Sequence, residues 1–271
     1  MTLHRLAIPV VGFISFAVFV PSRAQDTPEP PAAQVASSAV NTQTAAPLSD
    51  EDAARLYLVR KEYPEAEALF HKLTVEHPKS ALYWNELGIS RHSQSQLSAA
   101  LKCYEKAVKL DHNYADPLNN AGTIWYERKE FPKAVRAYRR AIKIRSDFAP
   151  FYLNLGYALF NEKNYSESIA SFRTALQIDP EAFDTGKSRM GTVIQDRSMS
   201  SDRGRFYFML AKSFAEAGNI ERCVIYLKKA RDEGFKEMNA AKTDPSFAAV
   251  LKDPAVQEAL EPKPATEMAQ P

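Results

Sequence analysis

The stretch FYLNLGYALFNEKNYSESIASFRTALQIDP, residues 151–180, decides the fold of this chain. It opens as an apolar helix, yet Gly156 stands near the middle of that helix, where Gly costs about 1 kcal/mol relative to Ala. Gly88 and Gly122 precede Gly156 at intervals of 34 residues. A glycine that recurs at a fixed period indicates a column where two helices approach too closely for a side chain, so tertiary packing offsets the propensity cost.

Other residues keep the same period of 34. Ala54 holds the phase of the glycines one period earlier, and a small residue lies twelve positions after each member of that column. Four positions further on, every copy has an aromatic residue. The two columns are Ala66, Ala100, Ala134 and Ser168, and then Phe70, Tyr104, Tyr138 and Phe172. Each copy therefore predicts two amphipathic helices joined by a short polar turn, and the second helix packs through its small and aromatic stripe.

This pattern resembles the tetratricopeptide repeat, a 34-residue helix-turn-helix unit with the signature W-x2-L-G-x2-Y, then A-x3-F, A and P. The matching residues of the second unit are Trp84, Leu87, Gly88, Ala100 and Tyr104. The chain departs from the signature at Arg91, where an aromatic residue is usual. The resemblance implies an all-α fold, a right-handed superhelical solenoid whose concave groove binds extended or helical peptides.

Period and composition together divide the chain into seven segments. The register runs through four units, breaks after Pro180 and resumes 21 residues late in a fifth unit. Two Asp-Pro pairs, at Asp244 and Asp253, then predict short helices that cover the open end of the stack. The segments are a signal peptide (1–24), a disordered Pro/Ala/Ser/Thr-rich linker (25–48), four units (49–180), an insertion loop (181–203), the fifth unit (204–235), C-terminal capping helices (236–260) and a disordered tail (261–271).

The N-terminal residues have the pattern of a secretory signal. Arg5 precedes an apolar run from Leu6 to Val20, and the small residues Ser22 and Ala24 follow at the spacing of a cleavage site. The alternative is an uncleaved anchor, but the run contains Pro9 and is shorter than the roughly 20 residues that span a bilayer. We therefore expect cleavage after Ala24 and a periplasmic or secreted protein.

Helix geometry divides each first helix into a face that packs against the second helix and a face that is free. In the family that the pattern resembles, the free face lines the concave groove. The residues of this face mix amides, which can hydrogen-bond a peptide backbone, with aromatic rings that supply contact area. The predicted peptide-binding residues are Asn85, Ile89, Asn119, Asn120, Thr123, Tyr126, Asn154, Tyr157, Phe160 and Asn161. Two alternatives stay open: Asn154 hydrogen-bonds only the neighbouring backbone, and Tyr126, Tyr157 and Phe160 belong to the core between repeats.

The sequence offers no constellation for catalysis, for a cofactor or for a metal. The five His residues include no i, i+4 pair, and no nucleophile motif appears. Cys103 and Cys223 are expected to be separate buried side chains rather than a disulfide. Without residues 1–24 the chain has 33 basic and 33 acidic residues, which argues against a nucleic-acid partner.

Basic residues concentrate in FPKAVRAYRRAIKIR, residues 131–145. A solvated outer helix face accounts for them more simply than an anionic partner does.

These features favour an exported, non-enzymatic scaffold or adaptor that binds a peptide or helical segment of a protein partner, with a role in cell-envelope assembly. One alternative is an accessory subunit that docks through its convex face or its C-terminal helices and leaves the groove unused. A second is an enzyme or sugar-handling protein in which the repeats only present the substrate. The absence of a catalytic motif weighs against that second alternative.

Overall fold

A computed structural model of the chain describes residues 48–183 and 202–262. Within these ranges the regular structure is helical. The signal peptide, nearly all of the linker, most of the insertion loop and most of the C-terminal tail were predicted for residues outside the described ranges. The helices described below belong to one compact unit that spans residues 47–271.

Ten α-helices form five consecutive pairs. The first helix of each pair is α1 (Asp50–Val59), α3 (Ala81–Ser93), α5 (Asp116–Glu127), α7 (Ala149–Asn161) and α9 (Arg203–Glu216). The second helix of each pair is α2 (Tyr63–Glu76), α4 (Leu97–Leu110), α6 (Phe131–Ile144), α8 (Tyr165–Ile178) and α10 (Ile220–Asp232). Each helix packs against the helix before it and the helix after it, as expected for a helical-repeat solenoid.

The glycine column is explained by the aromatic column of the second helices. A Cβ atom at Gly88 would lie 2.4 Å from the ring of Tyr104, and one at Gly156 would lie 2.4 Å from the ring of Phe172. Gly122 has the same relation to Tyr138, at 2.5 Å. The sequence prediction of a contact too close for a side chain is therefore confirmed, and the group that fills the space is a buried ring of the same unit.

The turn inside each pair has a second column, which the sequence analysis did not predict. Lys61, Ser95, Lys129 and Lys163 have φ values of 60–61°, in the left-handed region that non-glycine residues rarely adopt. In the fifth pair the left-handed residue is Gly218, with φ 71°. It follows Lys163 by one period plus 21 residues, which is the predicted length of the insertion.

The C-terminal segment covers the last pair, as the sequence predicts, but with one difference in helix type. The second Asp-Pro pair begins α11 (Pro254–Leu260), whereas the first begins only a 3₁₀ helix, Pro245–Phe247, preceded by another at Met238–Lys242. The Asp244 and Asp253 side chains accept hydrogen bonds from the backbone N–H groups that follow them. Phe247 is fully buried, with its ring 5.6 Å from that of Phe208 in α9.

Candidate protein-binding face

The predicted binding residues lie on first helices, which form the inner side of the stack. Consecutive first helices contact one another directly, α3 with α5 and α5 with α7, whereas the second helices of neighbouring units contact each other less or not at all. The second helices therefore form the outer side. We use the term inner face for the first-helix surface of α3, α5 and α7 that lies opposite the second helices.

Four of the predicted amides form a ladder along the inner face. The Asn120 amide donates to Asn85 Oδ1 at 3.1 Å, and the Asn154 amide donates to Asn119 Oδ1 at 2.9 Å. A longer contact of 3.5 Å from Asn119 Nδ2 to Asn120 Oδ1 joins the two rungs. All four side chains are buried, with relative exposures between 0% and 5%. The amides thus tie α3 to α5 and α5 to α7. The ladder partner of Asn154 is a side chain of the preceding unit, whereas the alternative for Asn154 expected neighbouring backbone.

A second ladder lies nearer the C-terminal ends of the same helices. Asn161 Nδ2 donates to the Tyr126 hydroxyl at 2.9 Å, and His92 Nε2 lies 2.9 Å from Glu127 Oε1. In both ladders the bonded residues of successive units are 35 positions apart, one more than the repeat period. Asn161 also donates to the Tyr157 backbone carbonyl, so its amide is fixed from two sides.

The predicted aromatic residues pack into the core between units. The Tyr157 and Phe160 rings lie 5.5 Å and 5.4 Å from the ring of Phe206 in α9. Tyr126 packs edge-on against Phe131 at 5.3 Å. All three predicted rings are buried, which agrees with the core alternative for them. Tyr157 and Phe160 therefore pack α7 against α9, and Tyr126 packs α5 against α6.

Thr123 and Ile89 occupy equivalent positions in successive units but differ in their surroundings. Thr123 is buried and donates to the Asn119 carbonyl, and the Tyr138 hydroxyl lies 3.4 Å from its Oγ1 atom. Ile89 is half-buried and packs against the apolar cluster that contains Tyr104. The Tyr104 hydroxyl is buried and has no hydrogen-bond partner among the described residues. Ile89 stands at the position that Thr123 holds in the next unit, and its side chain cannot accept a hydrogen bond. The Tyr104 hydroxyl therefore lacks the partner that the Tyr138 hydroxyl has.

The accessible part of the inner face includes a residue that the sequence analysis did not select. Leu82 is 37% exposed and lies three positions before Asn85 and seven before Ile89, on the same side of α3. Glu127 is exposed as well, with 43% of its side chain in contact with solvent. An apolar residue one turn before an inner-face amide was the available signal for Leu82.

Helices α3 and α5 carry three acidic residues near the inner face, Glu86, Asp116 and Glu127. Burial raises the pKa of Glu86, and nearby Asp116 adds to the rise, whereas Arg55 and a hydrogen bond from Asn85 oppose it. Asp116 is paired with Arg145 at 2.6 Å. Capture of a C-terminal carboxylate requires Lys or Arg in the groove, and the positions here are held by Glu86, Asp116 and Glu127.

Arg91, the departure from the repeat signature, belongs to a structural cluster behind the inner face. Its Nε atom donates to Glu67 at 2.9 Å and its Nη1 atom to the Cys103 sulfur at 3.3 Å. Both cysteines are free and buried, so the expectation of separate thiols is confirmed. Burial raises the pKa of the Cys103 thiol, although Arg91 opposes the rise, and raises that of Cys223 to about 12. A thiol with a raised pKa stays protonated at neutral pH and is therefore a poor nucleophile.

The described residues, 48–183 and 202–262, contain no group of three or more His, Cys, Asp or Glu residues that is placed to hold a metal ion. They also contain no helix with the length and apolar character needed to cross a membrane.

Comparison with protein families identifies the repeats. A family described as TPR repeat matches residues 88–127 and 122–163, and one described as tetratricopeptide repeat matches residues 149–181. Together these matches cover residues 88–181. A comparison with curated protein sequences gave no match.

Several solved structures are similar to part of this chain. A crystal structure of MamA is 20% identical, covers 70% of this chain and 96% of its own, and superposes with a TM-score of 0.47. A MamA fragment from Desulfovibrio magneticus RS-1 is 14% identical, with coverage of 68% and 92% and a TM-score of 0.48. YrrB, described as a TPR protein with an unusual peptide-binding site, is 18% identical, with coverage of 72% and 89% and a TM-score of 0.46.

Proposed function

We propose that this protein is an exported, non-enzymatic adaptor that binds a peptide or helical segment of a protein partner along its inner face. The tetratricopeptide-repeat fold supports a role in protein–protein interaction. A role in cell-envelope assembly follows from the proposed export.

The observation that carries the proposal is the exposure of Leu82 on α3, one helical turn before Asn85, the first residue of the amide ladder. A side chain of that size on the inner side of α3 offers an apolar anchor, and half-buried Ile89 extends it by two helical turns. Glu127 supplies an exposed carboxylate on the neighbouring first helix. The preferred partner segment therefore has an apolar residue for Leu82 and a basic or amide group for Glu127, and no requirement for a free C-terminus.

The ladder contributes to binding by fixing the geometry of this surface. Asn85 and Asn120 hold α3 at one distance from α5, so the anchor and the carboxylate keep a constant separation. A preformed surface binds with a smaller loss of conformational entropy than one that must be ordered. In this proposal the buried amides position the exposed residues, and the exposed residues touch the partner.

Photocrosslinking tests where the partner lies. A photoreactive phenylalanine analogue is placed at Leu82 on the inner face, and in a control protein at Val75, an exposed residue of α2 on the outer side. We expect a specific protein adduct from position 82, identified by mass spectrometry, and none from position 75. Adducts from position 75 alone would instead support the accessory subunit that docks through its outer face.

A matched pair of substitutions then measures the contribution of the anchor. Leu82→Glu and Val75→Glu each replace an exposed aliphatic residue and add one negative charge. Leu82→Glu should weaken binding of the crosslinked partner segment about tenfold or more, as loss of an anchor residue does. Val75→Glu should leave the affinity within a factor of about two. Equal affinities for the two variants would contradict binding at the inner face.

Export is a separate part of the proposal and has its own test. If Ala24 is the last residue removed, the mature protein begins at Gln25 and has equal numbers of basic and acidic residues. Mass spectrometry of the protein from its host should therefore find an N-terminal peptide that begins Gln-Asp-Thr-Pro. Recovery of intact Met1 from a cytosolic fraction would contradict export, and recovery from a membrane fraction would support the uncleaved anchor.

A further inference from the structure

Positive charge on this protein is concentrated on two neighbouring second helices. Helices α4 and α6 contain eight of the 35 basic residues of the chain but only one of its 33 acidic residues, Glu105. Together they carry a net charge of +7, whereas the whole chain carries +2. The remaining residues are therefore acidic on balance, and the field of the protein is strongly polarised.

Six of the eight basic residues form two equivalent rows on the outer side. Each row has the spacing i, i+4, i+7, which places its members on one side of a helix. The rows are Lys102, Lys106 and Lys109 on α4 and Arg136, Arg140 and Lys143 on α6, and we call these six residues the outer basic patch. All six are exposed, and none forms an ion pair with another described residue. The other two, Lys133 and Arg139, pair with Glu130 and Glu167.

The outer basic patch ends sharply at both sides. The equivalent positions of α2 hold one basic residue, and those of α8 hold none. They are Ala68, Lys72 and Val75 on α2, and Ala170, Thr174 and Gln177 on α8. Because the repeat fold needs only the small and aromatic stripe of each second helix, it does not require lysine or arginine at these outer positions. The concentration on α4 and α6 thus needs a cause other than folding.

We propose that the outer basic patch docks the protein onto an anionic membrane surface. Clusters of four to eight Lys and Arg residues are attracted to anionic lipid by about 1 kcal/mol per residue near the surface. Such attraction requires a broad area of one charge sign and neither a pocket nor an apolar anchor. The patch fits this description, because exposed Glu105 is the one acidic residue on its two helices and the residues between its charges on the outer side include no exposed aromatic or large aliphatic side chain.

The same features weigh against two other anionic partners. A specific protein interface usually has a desolvated aromatic or arginine anchor in a pocket at its centre, and the patch has none. Single-stranded nucleic acid is bound through aromatic side chains on which bases stack, and duplex binders are strongly basic overall. This chain has a net charge of only +2. Docking through α4 and α6 would also leave the inner face free, so the protein would hold a partner at the membrane surface.

Vesicle sedimentation tests the proposal with two matched variants of the protein, each purified as its host processes it. Arg136→Gln, Arg140→Gln and Lys143→Gln together remove half of the patch. Arg60→Gln, Lys79→Gln and Lys252→Gln together remove the same charge from exposed residues elsewhere. The probes are phosphatidylcholine vesicles with and without about one third phosphatidylglycerol, a range of anionic content at which basic clusters bind. Circular dichroism melting checks that both variants fold.

We expect the unaltered protein to bind the anionic vesicles more tightly than the neutral ones and to be released by salt. The patch variant should lose affinity for the anionic vesicles about a hundredfold, and the control variant about threefold or less. Absence of binding by the unaltered protein, or equal losses in the two variants, would overturn the proposal. It would also be overturned by tighter binding to a DNA duplex or to polyglutamate than to the anionic vesicles, which would indicate a nucleic-acid or acidic protein partner.

Discussion

At the scale of single residues, the repeat is defined by how one ring fits one glycine. The ring of Phe172 occupies the space that a side chain at position 156 would need, and the same holds for Tyr138 at Gly122. Helix propensity alone predicts that Gly→Ala stabilises these helices by about 1 kcal/mol. Packing predicts the opposite sign, so the two effects can be separated by experiment.

Gly156→Ala should destabilise the protein by about 1–3 kcal/mol, the usual cost of overpacking. The reason is that the new Cβ would lie 2.4 Å from Phe172 Cε1, which forces the ring or the helix to move. Urea unfolding followed by circular dichroism measures the change. In a Phe172→Leu background the cost of Gly156→Ala should become smaller, because the obstructing ring is gone. A stabilising effect of Gly156→Ala in the unaltered protein would contradict this account.

The two tyrosines of the aromatic column should respond oppositely to loss of their hydroxyl groups. The Tyr104 hydroxyl is buried without a partner among the described residues, so Tyr104→Phe should stabilise the protein by about 1–3 kcal/mol. The Tyr138 hydroxyl bonds Thr123, so Tyr138→Phe should destabilise it by about 0.5–1.5 kcal/mol. Thermal melting of the two variants gives the signs. A loss of stability in Tyr104→Phe would indicate that its hydroxyl has a partner after all.

At the scale of elements, the helix pairs were predictable and the contacts between pairs were not. Alignment of the units at a period of 34 places Asn85 with Asn119 and Asn120 with Asn154. This alignment correctly identifies the helices and their glycines. The hydrogen bonds instead join Asn85 to Asn120 and Asn119 to Asn154, which are 35 positions apart. Alignment of repeats compares equivalent positions and therefore misses a bond that joins unlike positions.

The accessible anchor was missed for a related reason. Residue type in a repeat signature reflects packing within the unit, whereas exposure at Leu82 depends on how closely the neighbouring unit approaches. The left-handed turn residues were missed because Lys61, Ser95, Lys129 and Lys163 are not the glycine or asparagine that usually marks such a conformation. Among the residues of this turn column, Gly218 alone is of a type that indicates a left-handed conformation.

The amide ladder should contribute measurably to the coupling of α3 with α5. Asn120→Ala removes the donor to Asn85 and the acceptor for Asn119. Because buried polar groups are then left unsatisfied, the free energy of unfolding should fall by about 1–3 kcal/mol. Urea unfolding measures the loss, and Asn113→Ala, at an exposed position, should stay within about 0.5 kcal/mol of the unaltered protein.

A double-mutant cycle separates the Asn85–Asn120 bond from general packing. If the two amides stabilise the stack through each other, the effects of Asn85→Ala and Asn120→Ala should be non-additive by about 0.5 kcal/mol or more. Additive losses would show that each amide acts through other neighbours. The expected loss of stability also means that these asparagines are unsuitable for testing partner binding, which is why the exposed Leu82 is preferred for that purpose.

At the scale of the whole molecule, a stack of repeats has two ends, and the C-terminal one is closed by short helices. Each internal pair buries its apolar surface against neighbours on both sides, but α9 and α10 have a following neighbour only in residues 236–260. Phe247, Val256 and Leu260 are buried there. Stability should therefore be lost from this end first when the segment is removed.

A chain truncated after Phe235 should lose hydrogen-exchange protection mainly in α9 and α10, while α3 to α7 keep theirs. The physical reason is that truncation exposes the buried surface of the fifth pair, including Cys223 and Leu227, whereas the central pairs retain both neighbours. A chain truncated after Pro262 is the control and should match the full chain. Uniform loss of protection across α3 to α10 would instead mean that the stack unfolds as one cooperative unit, since nearest-neighbour coupling would then be strong enough to transmit the loss of the cap through every pair.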